Sequence, residues 1–233
     1  MKRTALVAFV AAAAFAQEKQ MTTFNFDSDA AGEPPKGFDF ALTGKGKPGK
    51  WVVQAVGDAP SGKNVLAQTD GDTTDYRFPI AYTGPELKDL RLSVKCKPIA
   101  GKGDQGCGII WRLKDKDNYY ITRANALEDN VHLYHVVKGR RDRFAGWNGK
   151  VASGVWHELA VRMMGNHIEV FFDGKQVIDQ NDDTFKDAGK FGVWTKADSI
   201  IQFDVLTATP ELPCTPSSHC RSTPRNCVGC PSG

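Results

Sequence analysis

Gly106-Cys-Gly-Ile-Ile-Trp-Arg-Leu113, Asn118-Tyr-Tyr-Ile-Thr-Arg-Ala-Asn-Ala-Leu127 and Val131-His-Leu-Tyr-His-Val-Val137 follow one another along the chain. Only the short polar segments 114–117 and 128–130 separate them. Each run is rich in β-branched and aromatic residues, and each gap has the length of a hairpin connection. The stretch predicts three consecutive antiparallel strands. Alternation sets the faces, because successive side chains of a strand point to opposite sides. Tyr119, Arg123 and Asn125 share one face, and Tyr120, Thr122 and Ala124 share the other. Arg112 opposes Ile109, Trp111 and Leu113. Arginine and asparagine are poor core residues, so Arg112, Tyr119, Arg123 and Asn125 are expected on an open sheet face, with Trp111 in the core.

Working outward, the same signal recurs. Leu90, Leu92, Val94 and Cys96 alternate with Arg91, Ser93, Lys95 and Lys97, a strand with one buried face. Its expected partner is the strand beginning at Cys107. Downstream, Leu159, Val161 and Met163 share a face, Gly165-Asn166 turns, and Ile168, Val170 and Phe172 continue it. Asp173-Gly174 is a hairpin signal. Phe191–Thr195 and 200–206 close the domain, and Trp194 opposes Phe191 and Val193 in parity, which places it on the open face. Upstream, Phe24 and Phe26 mark a first strand, and the Gly- and Lys-rich run 43–50 is expected as a mobile surface loop. About fourteen strands are expected, with at most one helical turn in 182–189. An all-β, two-sheet antiparallel sandwich follows.

Residues 1–16 combine Lys2 and Arg3, an apolar run and Ala14-Phe15-Ala16 before Gln17, the pattern of a secretory signal peptide. The expected location is therefore secreted or periplasmic, and the expected domain is 17–208. No segment is apolar enough to predict a membrane span. Without Lys2 and Arg3, the 30 basic residues fall to 28 against 27 acidic ones, so composition gives no reason to expect nucleic acid. Lys138, Arg140, Arg141 and Arg143 are expected to decorate a solvated hairpin tip. From 209 to 233 the chain is rich in Pro and Cys and is expected to be flexible. Its Cys214, Cys220, Cys227 and Cys230 are open to disulfides or free thiols, and with His219 to a zinc site. Cys96 and Cys107 share the apolar parity of their strands, predicting a disulfide across that hairpin. Asp27 and Asp204, on the first and last strands, are the candidate ligands for a structural calcium; no other cofactor is expected.

Gly108-Ile-Ile-Trp-Arg112, Asn118-Tyr-Tyr120, Asn125-Ala-Leu-Glu-Asp-Asn130, Trp156-His-Glu-Leu-Ala-Val161, Ile168-Glu-Val-Phe-Phe-Asp-Gly174 and Phe191-Gly-Val-Trp194 together resemble bacterial secreted members of the concanavalin A-like lectin/glucanase superfamily. Within it the chain is similar to laminin-G-like domains and to the family named for 3-keto-disaccharide hydrolases. The resemblance spans most of 22–207 and implies a jelly-roll of about 13 strands.

A retaining glucanase needs two carboxylates about 5 Å apart. The Glu-x-Asp-x-(x)-Glu strand that supplies them is absent. Residues 17–208 hold six glutamates, and of these only Glu128 falls near the open face. It is the candidate proton donor if the protein is an enzyme. A noncatalytic site fits the residues better: aromatic rings stack on the C–H faces of sugars, while Arg and Asn bind hydroxyls. The expected saccharide-binding set is Arg112, Tyr119, Arg123, Asn125 and Trp194 in a monomeric module with a saccharide or polysaccharide ligand. A hydrolase of the 3-keto-disaccharide type and a noncatalytic adhesion or structural domain are the alternatives.

Overall fold

The computed structural model describes residues 20–211, so the expected signal peptide and the Cys/Pro-rich tail with its disulfide and zinc alternatives lie outside the described residues. Fifteen strands form among the described residues, and no helix does. They are β1 (Thr22–Phe24), β2 (Asp39–Gly44), β3 (Trp51–Ala55), β4 (Asn64–Gln68), β5 (Arg77–Leu87), β6 (Leu90–Ala100), β7 (Gly106–Asp115) and β8 (Asn118–Asn125). There follow β9 (Asn130–Val137), β10 (Arg140–Asn148), β11 (His157–Met164), β12 (His167–Phe172), β13 (Lys175–Asn181), β14 (Gly189–Thr195) and β15 (Ile200–Pro210).

They pair into two antiparallel sheets. The first runs β13-β12-β11-β6-β15-β4-β3, with β1 also on β15; the second runs β10-β9-β8-β7-β14-β5-β2. Both are packed as the alternation predicts. Leu92, Val94, Val161 and Val170 of the first sheet meet Ile109, Trp111, Tyr120, Leu133 and Val193 of the second in one buried cluster. Trp111 is indeed core: it stacks on Tyr120 and its Nε1 donates to Met163 Sδ at 3.0 Å. The outer face of the first sheet is solvated and ion-paired, Glu158 with Lys95 and Glu169 with Arg162.

The central meander β7-β8-β9 forms as predicted, but the partner expected for β6 does not. β6 pairs with β11 and β15 in the first sheet, whereas β7 pairs with β8 and β14 in the second. The chain crosses between sheets at 101–105, where Asp198 accepts N–H bonds from Lys102, Gly103 and Asp104. Cys96 and Cys107 are bonded with Cα atoms 6.4 Å apart, and the disulfide ties the two sheets through the core rather than stapling a hairpin. Both cysteines have core parity, and core parity on facing sheets brings them together.

Smaller expectations are also refined. The basic segment at 138–143 is a solvated tip only in part: Lys138 and Arg140 are exposed at the β9–β10 turn, but β10 is a full edge strand and Arg141 lies over the rings of the second sheet. The last strand continues beyond Leu206, since Thr209 and Pro210 pair with Arg91 and Leu90. The 43–50 loop is pinned rather than free, because the buried Arg77 donates to Lys47 O and Pro48 O and Asp72 accepts Lys47 N–H. The segment 182–189 is irregular and contains no helical turn.

The second sheet is strongly cupped away from the first. Thr43 on edge strand β2 lies 2.9 Å from the Tyr119 hydroxyl on β8 and donates to Lys116 O in the β7–β8 turn. Three strands separate β2 from β8, which in a flat sheet is about 19 Å. Only a curled sheet brings these groups within hydrogen-bonding distance.

Candidate functional site

The concave face divides into two halves. One is apolar: Phe78, Ile80, Ile110, Tyr119, Ile121, Val136 and Trp194 form a second buried cluster. Phe78 and Trp194 stack at 5.4 Å. The other half is a polar network centred on Arg123. Glycines on β7 make room for both. A Cβ on Gly108 would lie 3.0 Å from the Trp194 ring and 3.2 Å from Arg123 Cβ; one on Gly106 would lie 2.8 Å from Asp104 Oδ1. The Gly-x-Gly at the start of the deciding stretch therefore lets side chains of β8 and β14 lean over β7.

Arg123 is almost wholly buried. Its Nη1 donates to Asn130 Oδ1, and its Nη2 reaches Glu128 Oε2 at 2.7 Å, His132 Nδ1 at 3.1 Å and the Tyr134 hydroxyl at 3.1 Å. Asn125 Nδ2 donates to Asp104 Oδ1 at 3.0 Å, and Lys196 Nζ pairs with Asp104 Oδ2 at 2.7 Å. Asn125 Oδ1 accepts Leu127 N–H, which shapes the turn carrying Glu128.

From β10, Arg143 Nη1 lies 3.2 Å from His132 Nε2. Arg141 lays its guanidinium over three rings, 4.4 Å from Tyr134, 4.6 Å from Phe78 and 5.3 Å from Trp194. An open cleft of about 430 Å³ is lined by His132, Arg143, Phe144, Ala145, Gly146 and Asn148. A larger depression of about 860 Å³ beside β3 is lined by Lys50, Val52, Gln54, Thr69 and Asp70, without a comparable convergence of polar heads.

The electrostatics follow from burial and neighbours. Burial raises the Asp104 carboxyl above its usual range, with Lys196 and Arg123 offsetting part of the effect. Burial also opposes ionisation of Glu128, but Arg123, Asn130 and Lys196 outweigh it and hold that carboxyl low. His132 is pushed down to about 4, first by burial and then by Arg123 and Arg143, so it is neutral at physiological pH.

The expected ligand set is thus only partly gathered. Arg123, Asn125 and Glu128 do converge. Tyr119 and Trp194 lie on the concave face as parity predicts, but both are fully buried, Trp194 beneath Arg141, so neither offers a bare stacking surface. Arg112 is elsewhere. It sits at a bulge with φ 47°, where pairing with β8 is interrupted and parity changes, so that Leu113 joins the concave cluster. Its guanidinium donates to Lys88 O, Phe185 O and Gly165 O and pairs with Asp89, joining three connections at one end of the sandwich.

Sequence reasoning missed Asp104, Arg141 and Arg143, whereas His132 and Tyr134 of the central meander and Lys196 beside Trp194 were legible as sheet residues but stood outside the expected ligand set. Arg141 and Arg143 carried a usable signal, since they alternate with Asp142 and Phe144 in a strand period.

At the other end of the chain's fold, Asp27 and Asp204 do meet, around the 61–64 turn. Asp27 Oδ1 accepts the N–H groups of Lys63 and Asn64, and Asp204 Oδ2 accepts that of Ser61. Gly62 has φ 60°, and a Cβ there would collide with the Asp27 carboxylate. Burial first, and then the Asp27 charge, push the Asp204 carboxyl up to about 6.

No family model matches the sequence, and no curated protein matches it. Solved structures do. The carbohydrate-binding module CBM66 from Bacillus subtilis superposes with TM-score 0.59 at 19% identity, covering 75% of this chain and 97% of the module. The exoplasmic/lumenal domain of VIP36 in its Ca2+/Man2-bound form gives 0.55 at 14% identity, over 79% of this chain and 85% of that domain. A Bacillus subtilis protein of unknown function with a galectin-like fold gives 0.53 at 11% identity, over 73% and 89%. The fold is thereby a lectin-like, galectin-like β-sandwich, consistent with the concanavalin A-like architecture.

Proposed function

We propose that this protein binds a saccharide on the concave face of its second sheet, with Arg123, Asn125, Glu128 and His132 providing the polar contacts. The observation that carries this is Arg123, a guanidinium held by four side chains of β9 and the β8–β9 turn, one of which, His132, lines an open cleft. Such a fixed fork loses little entropy on engaging vicinal hydroxyls. The CBM66 and VIP36 likenesses support the same ligand class.

Binding is favoured over hydrolysis by the state of Glu128. A general acid needs a carboxyl whose pKa is raised toward the working pH, whereas Arg123 keeps Glu128 ionised. The raised Asp104 is the one feature on the hydrolase side, and it is spent on Lys196 and Asn125. A glycan array probed with the full chain should return saccharide ligands, while chromogenic and 3-keto-glycoside substrates remain intact. Glu128→Gln should change affinity by less than about fivefold, roughly 1 kcal/mol, since Glu128 is partly exposed and the amide keeps an oxygen to accept from Arg123. Turnover that disappears in Glu128→Gln would instead establish the hydrolase. In this proposal the protein acts outside the cytoplasm as a monomer, and its buried disulfide suits an oxidising compartment.

A structural calcium at Asp27 and Asp204 belongs to the same proposal. Two carboxylates converge on one turn, where burial and then the Asp27 charge raise Asp204 while the N–H groups of Lys63 and Asn64 hold Asp27 low. A hard divalent cation would neutralise the pair with oxygen ligands. Calcium at 100 times its Kd should stabilise the fold by about 2.7 kcal/mol, seen as a higher Tm that chelator reverses and Asp204→Asn abolishes. An identical Tm in calcium and in chelator would reject the ion.

A further inference from the structure

Resting on the saccharide-binding proposal, we infer that the ligand is an anionic saccharide whose carboxylate or sulfate ester sits between Arg141, Arg143 and His132. Charge on this face is out of balance. Arg123, Arg141, Arg143 and Lys196 face only Asp104 and Glu128, and those two are already engaged by Lys196 and Arg123. Among the described residues no carboxylate pairs with Arg141 or Arg143. Asp142, between them in the sequence of β10, pairs with Arg140 instead.

These arginines are not scattered surface charge. Both have the same parity on β10, and Tyr134 ties Arg141 to Arg123 through its ring, 4.4 Å and 5.8 Å from the two guanidinium carbons. Arg141 Nη1 and the Nε of the deeply buried Arg123 lack any hydrogen-bond partner among the described residues. Leaving guanidinium N–H groups buried and unpaired is costly, and the rings beneath Arg141 compensate only in part.

The imidazole makes the imbalance specific. Neutral His132 carries one donor and one acceptor nitrogen, yet arginines approach both, Arg123 at Nδ1 and Arg143 at Nε2. Nδ1 is also 3.1 Å from the Tyr134 hydroxyl, and when Nδ1 accepts from Arg123 the proton is on Nε2, so that the imidazole N–H and Arg143 stand side by side as donors. An anionic oxygen beside Nε2 would accept from both Arg143 and the imidazole N–H. The cleft lined by His132, Arg143, Gly146 and Asn148 opens at that point. A planar carboxylate or a sulfate ester has the paired oxygens that guanidinium forks engage.

Calorimetric titration of the full chain with four probes tests this: tetragalacturonate, its methyl ester, a sulfated carrageenan tetrasaccharide and cellotetraose. At least one charged probe is expected to bind ten times or more tighter than the methyl ester and cellotetraose, with the preference falling as salt rises. The carboxylated and sulfated arms identify which anion the site takes. Arg141→Gln should reduce that preference to threefold or less, and Arg143→Gln, at an exposed position where the fold is not at risk, should do the same. Equal binding of charged and neutral tetrasaccharides overturns the inference and leaves the saccharide site standing. Failure of these probes, together with a blank glycan array, removes both.

Discussion

Arg112→Ala is expected to lower the stability of the fold by about 3 to 5 kcal/mol while leaving saccharide affinity of the folded fraction unchanged. One guanidinium satisfies Lys88 O and the Asp89 carboxylate between β5 and β6, Gly165 O between β11 and β12, and Phe185 O between β13 and β14. Truncation removes the shared donor from all four acceptors at once, and Asp89 also loses its counterion. Arg112→Lys should recover only part of the loss, because an ammonium cannot reproduce the fork that reaches three loops. Urea unfolding of the two variants measures this. A loss of less than about 1 kcal/mol, or a matching loss of affinity in protein that is fully folded, would return Arg112 to the binding site.

For Arg123→Ala the expected result is the reverse in emphasis: affinity for the best ligand of the glycan array should fall by roughly 30- to 150-fold, about 2 to 3 kcal/mol for a lost charge-assisted contact. The substitution also strips Glu128, Asn130, His132 and Tyr134 of their common donor, so some destabilisation accompanies it. Arg123→Lys separates the effects. It keeps the positive charge beside Glu128 and should restore stability more than affinity, since only the planar fork holds Asn130 and Tyr134 together. Calorimetry on variants whose circular dichroism matches the parent supplies the check. Unchanged affinity in folded Arg123→Ala would place the ligand off the concave face.

Most of the fold was legible because period-two alternation is a local property. The β7-β8-β9 meander, the core position of Trp111, the core parity of Cys96 and Cys107 and the shared face of Arg123 and Asn125 all follow from counting residues along a strand. The same counting misplaced Arg112, because a single residue at φ 47° inserts a bulge and reverses parity beyond it. It also gave Trp194 the correct face and the wrong exposure. Alternation says which side of a sheet a side chain occupies, while the curl that brings Thr43 to Tyr119, and the arginine that covers Trp194, arise from strands far away in the sequence.

The sequence by itself determined an all-β sandwich, the inward and outward faces of its strands, and the meeting of first and last strands that brings Asp27 to Asp204. Tertiary structure alone decided which strands are neighbours, that the Cys96–Cys107 bond spans two sheets, and that Arg141 of an edge strand lies over the same concave face as Arg123. The physical reason is that alternation is set by the local backbone, whereas sheet order and curvature are set by packing between segments distant in the chain. A charge on a solvated tip and a charge over a cupped sheet have the same sequence signature.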